Sequence, residues 1–256
     1  MRFKDKVVVI SGAGAGIGKG IANEFAKEGA RIVIAEVNVE SGNAVINELQ
    51  DQGMQALFVQ TDVSNNESVE KTAAKVADTW GTIDIVVNNA GIALWKGIKD
   101  LSSEEWDQVM GVDLKGVFLM SKHCVPHMAN STVKSIVNIS SVHAMATVPN
   151  YDAYAAAKGG VVSLTRSMAL TLKDDGIRVN GICPGFIDTE MLQRYVESLD
   201  NPEEYMKYVL SIHTVNRIGT PADIAKTCMF LSSEDAYFIN GQVITVDGGL
   251  TIQLKH

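Results

Sequence analysis

The sequence predicts an α/β fold, a doubly wound sheet of seven parallel strands with helices on both faces, and three observations predict it. Short β-branched runs alternate with longer amphipathic stretches from one end of the 256 residues to the other. A glycine-rich turn follows the first run directly, and an acid closes the second. Strict alternation of strand and helix implies parallel strands joined by right-handed crossovers. The candidate strands cover residues 7–10, 32–35, 56–60, 83–87, 135–139, 177–182 and 243–246.

The connectors carry helix punctuation. Gly29 and Gly53 stand where a helix needs a left-handed terminal residue. The stretches from Ser64 to Glu67 and from Ser102 to Glu105 both fit the Ser-x-x-Glu capping box. Thr220-Pro221-Ala222-Asp223 offers a cap, then proline at the first helical position, then an acid near the positive helix end. No linker, repeat or low-complexity segment interrupts the pattern, so residues 1–256 read as one domain. Only 186–217 breaks the alternation, being longer and more irregular and carrying Tyr195, Tyr205 and Tyr208. Open α/β sheets bind ligands beyond the carboxyl ends of their strands. An insertion after the sixth strand is therefore expected to be a substrate lid.

Composition excludes several classes. Residues are 46% hydrophobic and 20% charged, ordinary for a globular chain. The net charge of −8 argues against nucleic-acid binding, because such binders carry basic stripes that neutralise phosphates. No cluster of four basic residues marks an anionic membrane surface, and no run approaches the ~20 apolar residues of a span. Cys124, Cys183 and Cys228 form neither a disulfide framework nor a zinc knuckle. His123 and His127 lie four apart on a helix without a third ligand, so no metal is expected. With no signal peptide evident after Met1, the expectation is a cytoplasmic protein with reduced thiols.

The glycine turn runs Ser11-Gly12-Ala13-Gly14-Ala15-Gly16-Ile17-Gly18 and opens the first helix. Side chains there would hold the backbone away from a pyrophosphate, and the helix amino end offers free N–H groups and partial positive charge. Glu36 closes the second strand eighteen residues past Gly18, where a carboxylate accepts from an adenosine ribose. The same carboxylate would repel a 2′-phosphate. Ala15 and Val37 occupy the neighbouring positions, and Lys19 is expected to face solvent. NAD is thus favoured over NADP.

Tyr154 and Lys158 are four residues apart in a helical pattern and share a face. A free phenol titrates near 10 and is a poor base at neutral pH, but a nearby cation stabilises the phenolate. Ser141 lies thirteen residues before Tyr154, at the end of the fifth strand. A hydroxyl donor, a tunable phenol and a dinucleotide site together point to hydride transfer.

These residues resemble the short-chain dehydrogenase/reductase family, in its single-domain branch with a Rossmann-type sheet. The match runs from about Lys6 to Gly249. It takes in the Gly12/Gly16/Gly18 loop, Asp62-Val63, Asn88-Asn89-Ala90-Gly91, Ser141, Tyr154 with Lys158, Pro184-Gly185 with Thr189, and Val246-Asp247-Gly248-Gly249. The resemblance implies that Asp62 and Val63 flank the adenine and that Asn89, Ala90 and Gly91 line the sheet beside the ribose. It makes Tyr154 the acid/base, Lys158 the holder of the nicotinamide ribose, and Ser141 the group that orients the substrate oxygen. Ile187 and Thr189 would contact the carboxamide, and a homotetramer would form through helices at 103–128 and 151–173. Two positions depart from the family pattern. Ser11 stands where Thr is usual, and Asp113 stands where the fourth catalytic residue is usually Asn. Asp113 keeps the backbone carbonyl thought to hold a relay water, but it adds a negative charge near Lys158.

His143, two residues beyond Ser141, is a candidate substrate contact, and Trp95 a candidate pocket wall. The expected activity is an NAD-linked interconversion of a secondary alcohol and a ketone, with a sugar or polyol as substrate. Two alternatives stand beside it: a 3-oxoacyl-carrier-protein reductase, and a non-catalytic dinucleotide-binding sensor. Glu36 speaks against the first, and the presence of Ser141, Tyr154 and Lys158 against the second.

Overall fold

The computed structural model describes residues 1–253; the last three residues of the expected domain lie outside the described residues. The elements alternate along the chain. First come β1 (Val7–Ser11), α1 (Gly16–Lys27), β2 (Arg31–Glu36), α2 (Val39–Asp51), β3 (Ala56–Gln60) and α3 (Asn66–Trp80). Next are β4 (Ile85–Asn88), α4 (Ser103–Met110), α5 (Gly116–Cys124), β5 (Ser135–Ile139), α6 (Asp152–Thr171) and β6 (Arg178–Pro184). Last come α7 (Glu190–Glu197), α8 (Pro202–Ser211), α9 (Pro221–Ser232) and β7 (Val243–Val246).

All seven strands join one parallel sheet in the order β3-β2-β1-β4-β5-β6-β7. The β-branched content of β1 explains its central place. All five of its residues are buried, with Val8 and Ile10 facing one layer and Val7 and Val9 the other. Phe25 of α1, Leu49 of α2 and Leu231 of α9 complete the first layer. Val76 of α3, Met120 of α5 and Ala169 of α6 complete the second. The chain winds outward from β1 to β3 and then returns to β4 on the other side of β1. Strand order therefore reverses between β1 and β4, which opens a crevice beyond their carboxyl ends.

The expected helix ends are present, with one displacement. Gly29 and Gly53 adopt φ of 85° and 73°, the left-handed region that favours glycine. Ser102 and Glu105 cap α4 reciprocally, and the Thr220 N–H donates to the Asp223 carboxylate at 2.7 Å. The box expected at Ser64 does not form. Its hydroxyl donates to Asp62 at 2.7 Å, so Asn65 caps α3 instead, accepting from the Ser68 N–H at 3.0 Å.

Two features differ from the sequence reading. Segment 186–217 is not irregular: Thr189 caps α7, and Asn201 followed by Pro202 starts α8. Neither helix is anchored deeply, since α7 buries no residue and α8 buries only Val209. The second is a wide turn at Gly111–Lys115 between α4 and α5, where the Gly116 N–H reaches the Gly111 carbonyl. Its extra residue turns Asp113 fully inward, and such π turns recur at functional sites. Among the described residues no helix is long and apolar enough to cross a membrane.

Candidate active site

The glycine turn is held to β4 by a small polar lattice. The Ser11 hydroxyl oxygen accepts from the backbone N–H groups of Asn89 and Ala90 at 3.0 and 3.1 Å. The Asn89 amide donates back to the carbonyls of Ser11 and Gly12 at 3.0 and 2.9 Å. A serine in place of the usual threonine retains this function. Gly12 sits at φ 63°, and a Cβ there would come within 2.7 Å of the Ala90 Cα. Gly18 does not reach the cleft. A Cβ on it would meet the Gly12 carbonyl oxygen at 2.3 Å and the Asn89 amide nitrogen at 2.6 Å, so its bareness lets α1 pack against the glycine turn and Asn89.

The amino end of α1 already holds an anion. The Gly16 N–H donates to the Glu190 carboxylate at 3.1 Å, so the charge and free N–H groups of this terminus suit a phosphate oxygen. Sequence reasoning missed Glu190; its place directly after Thr189, at the start of the lid, was the available signal. Glu36 accepts from Gly14 N–H at 3.1 Å and Asn38 N–H at 3.0 Å. Lys19 is turned away, paired with Glu48 at 2.9 Å.

The chemical groups meet where β5 ends and α6 begins. The Ser140 hydroxyl donates to the Lys158 carbonyl at 2.8 Å, tying the strand end to the helix. Ser141 accepts from His143 N–H at 3.3 Å. One turn separates Tyr154 from Lys158, whose ammonium lies 5.5 Å from the phenol ring centre. That ammonium also donates to the Ile139 carbonyl at 3.3 Å and sits 3.1 Å from Asp113 Oδ2. Burial alone would lower the Lys158 pKa, but Asp113 and then Tyr154 outweigh it, so the pKa is raised and the charge retained.

Asp113 stands behind Lys158 rather than in the cleft wall. Its other oxygen accepts from Ile92 N–H at 2.8 Å. Gly91 permits this approach, because a Cβ there would lie 2.9 Å from the Asp113 carboxylate and 3.1 Å from the Lys158 nitrogen. The side chain of Asp113 thus reaches the cleft only by way of its contact with Lys158.

A single cleft of about 1540 Å³ brings the other candidates together. Gly12, Gly16, Ile17 and Glu36 line it beside Asp62 and Val63. Asn89, Ala90 and Gly91 form its floor, and Ser141, His143, Tyr154 and Lys158 follow. Pro184, Gly185, Ile187 and Thr189 close the side nearest α7. His123 and His127 lie elsewhere, His123 paired with Asn66 at 2.9 Å.

Aromatic rings wall the far end. Trp95 stacks on Tyr195 at 4.7 Å and meets Tyr151 edge-on at 5.7 Å, its indole N–H donating to the Tyr151 hydroxyl. His143 stacks on Tyr151 at 4.3 Å, and both rings stand edge-on to Tyr154. Burial lowers the His143 pKa, which keeps the imidazole neutral at neutral pH. Burial and then Tyr195 push the Tyr205 phenol up to about 12. Tyr151 was not anticipated, since nothing in its local sequence distinguishes it from a helix-entry residue.

Fold and cleft together bring Ser141, Tyr154 and Lys158 into one crevice with the glycine turn. Residues 12–251 match a family model described as enoyl-(acyl carrier protein) reductase. The meso-2,3-butanediol dehydrogenase of Serratia marcescens is 39% identical over 251 residues, 98% of this chain and 96% of that one. The 3-oxoacyl-[acyl-carrier-protein] reductase of Thermotoga maritima is 36% identical over 252 residues, 98% of this chain and all of that one. The crystal structure of levodione reductase superposes with a TM-score of 0.93 at 33% identity, covering 99% of this chain and 100% of that one. The chain belongs to the short-chain dehydrogenase/reductase family, and it is an oxidoreductase using a nicotinamide dinucleotide.

Proposed function

We propose that the protein interconverts a small secondary alcohol and its ketone with NAD rather than NADP, Tyr154 acting as acid/base. The observation that carries this reading is the convergence of Ser141, Tyr154 and Lys158 with the glycine turn in one cleft. When bound, the nicotinamide supplies or accepts the hydride. Tyr154 gives the substrate oxygen a proton in reduction and takes it in oxidation. Lys158 stabilises negative charge developing on the phenol oxygen and would hold the nicotinamide ribose. Ser141 orients the substrate oxygen, and His143 borders the substrate. Asp62 and Val63 would hold the adenine, Asn89 to Gly91 the adenosine ribose, and Ile187 and Thr189 the carboxamide.

NAD is favoured because Glu36 presents a carboxylate to the cleft while Lys19, on the helix that follows the glycine turn, is engaged by Glu48. The candidate substrates are a sugar, a polyol or another small alcohol; the relative in Serratia marcescens acts on a diol. A second reading, reduction of carrier-bound 3-oxoacyl groups, is favoured by the relative in Thermotoga maritima. NADH absorbance across a panel of alcohols, polyols and 3-oxoacyl thioesters, each with NAD(H) and NADP(H), separates the two. Turnover confined to thioesters with NADPH would overturn the first.

Residues 1–256 would form one domain with 186–217 as lid, and four copies would assemble through α4, α5 and α6. Exposed Phe118 and Leu170 support that assembly, as does Gly159, where a Cβ would meet nothing within 4 Å. Light scattering that found a 27.6 kDa particle at micromolar concentration would refute it. Three cysteines without a disulfide suit a reducing cytoplasm.

A further inference from the structure

We propose that this site selects a neutral, sparsely hydroxylated ring, an alicyclic secondary alcohol or its ketone, packed against the aromatic wall at Trp95 and Tyr151. The proposal rests on the alcohol–ketone reading above and names its substrate class.

Three observations carry it. The wall is continuous and begins at the reacting phenol: Tyr154 touches His143 and Tyr151, Tyr151 touches Trp95, and Trp95 touches Tyr195. Flat faces of this kind match the C–H face of a ring. A rigid ring also has few rotors to immobilise, whereas an open chain of equal length must freeze several.

The second observation concerns polar groups, most of which are engaged with one another. The Trp95 indole N–H is held by the Tyr151 hydroxyl, a His143 ring nitrogen by Thr147 at 3.0 Å, and the Tyr205 hydroxyl by Tyr195. A substrate bearing many hydroxyls would strip water from them and find few partners in return. A ring with one or two loses little, because Ser141 and Tyr154 serve the reacting oxygen.

The third is charge. Glu36 closes β2, Asp62 follows β3, and Asp107 and Lys115 stand one turn before and after Gly111, where an added Cβ would meet Ser64. Glu190 is committed to α1, and Arg194 is exposed to solvent. The aromatic end therefore presents uncharged rings with the aliphatic side chains of Val148 and Leu192, and the solvent-exposed Arg194 beside Tyr195 is the cation that lines it.

Matched substrate pairs test this. kcat/KM is measured with NAD for cyclohexane-1,2-diol against hexane-2,3-diol, and for a pyranose against its alditol. The ring diol should exceed the open diol by at least about tenfold and should also exceed the pyranose. Trp95→Ala should pull the ring-to-chain ratio toward one, mainly through KM; Trp95→Leu replaces it if the alanine variant does not fold. Saturation-transfer NMR with Tyr154→Phe should show ring protons, more than chain protons, in contact with the protein without any turnover. Equal or better use of the open diol, or a preference for the pyranose, overturns the proposal while leaving the alcohol–ketone reading intact. An absence of turnover with every alcohol and ketone would count against that reading instead, and the NMR contrast would still decide this one.

Discussion

On the dinucleotide side the cleft wall is mostly backbone, whereas on the lid side it is aromatic side chain. The first is set by β1, α1 and Asn89, where the Cβ atoms missing at Gly12 and Gly18 let main chains touch. The Ser11 hydroxyl and the Asn89 amide fasten that wall to β1 and β4. The second comes from α7 and α8, which bury a single residue between them, and from rings that fasten chiefly to each other. Under the proposed function the contrast would divide labour: main chain would recognise what is constant in the cofactor, and side chains on a lightly anchored segment would recognise the substrate. Behind the cleft lies the Asp113–Lys158 pair, buried and 3.1 Å apart.

The largest effect should come from that pair. Asp113→Ala leaves the Lys158 charge buried without its partner, and denaturant unfolding should show a loss of about 3–5 kcal/mol. Asp113→Asn keeps the shape and the Ile92 contact and should lose less. Because the folded pKa of Lys158 is raised, its contribution is fully present below the ordinary lysine value near 10.4 and is lost as pH rises through the folded value. A variant as stable as the parent at neutral pH would show that the pair does not anchor the rigid side.

Tyr154→Phe comes next. It retains the ring and removes only the acid/base, so turnover should fall by about 10² or more while NADH still binds by calorimetry. Near-normal turnover would move the chemistry to another residue.

The cofactor wall is sharpened by Glu36→Ala. The parent should prefer NAD over NADP by about tenfold in kcat/KM, ~1.4 kcal/mol, and the variant should narrow that gap. Equal parental values would remove Glu36 from cofactor choice.

The smallest effect is at the start of α9. Asp223 bonds both Arg217, at 2.8 Å, and the Thr220 N–H that starts α9. Arg217 above all holds its carboxyl well below the usual carboxylate range. The stability it contributes is therefore present above pH ~4 and lost as pH falls through the native value. Asp223→Ala should lower stability by about 1 kcal/mol, in line with the loss of a helix cap, and should leave NADH binding unchanged.

Much of this molecule was determined by sequence alone. The seven strands are found within two residues of their expected bounds, because short β-branched runs between helix caps and glycine turns favour extended backbone, and the central five are also buried. The glycine turn, Glu36, Ser141, Tyr154 and Lys158 were legible because their spacing along strand ends and one helical turn already implies proximity. Tertiary structure decided the rest. The wide turn that buries Asp113, the Glu190 carboxylate on α1, and the ring contacts joining Trp95, Tyr151 and Tyr195 all unite residues from separate elements. Local periodicity carries no information about such meetings. They are set when the sheet twists, the lid helices dock and side chains from distant segments are pressed into one cleft.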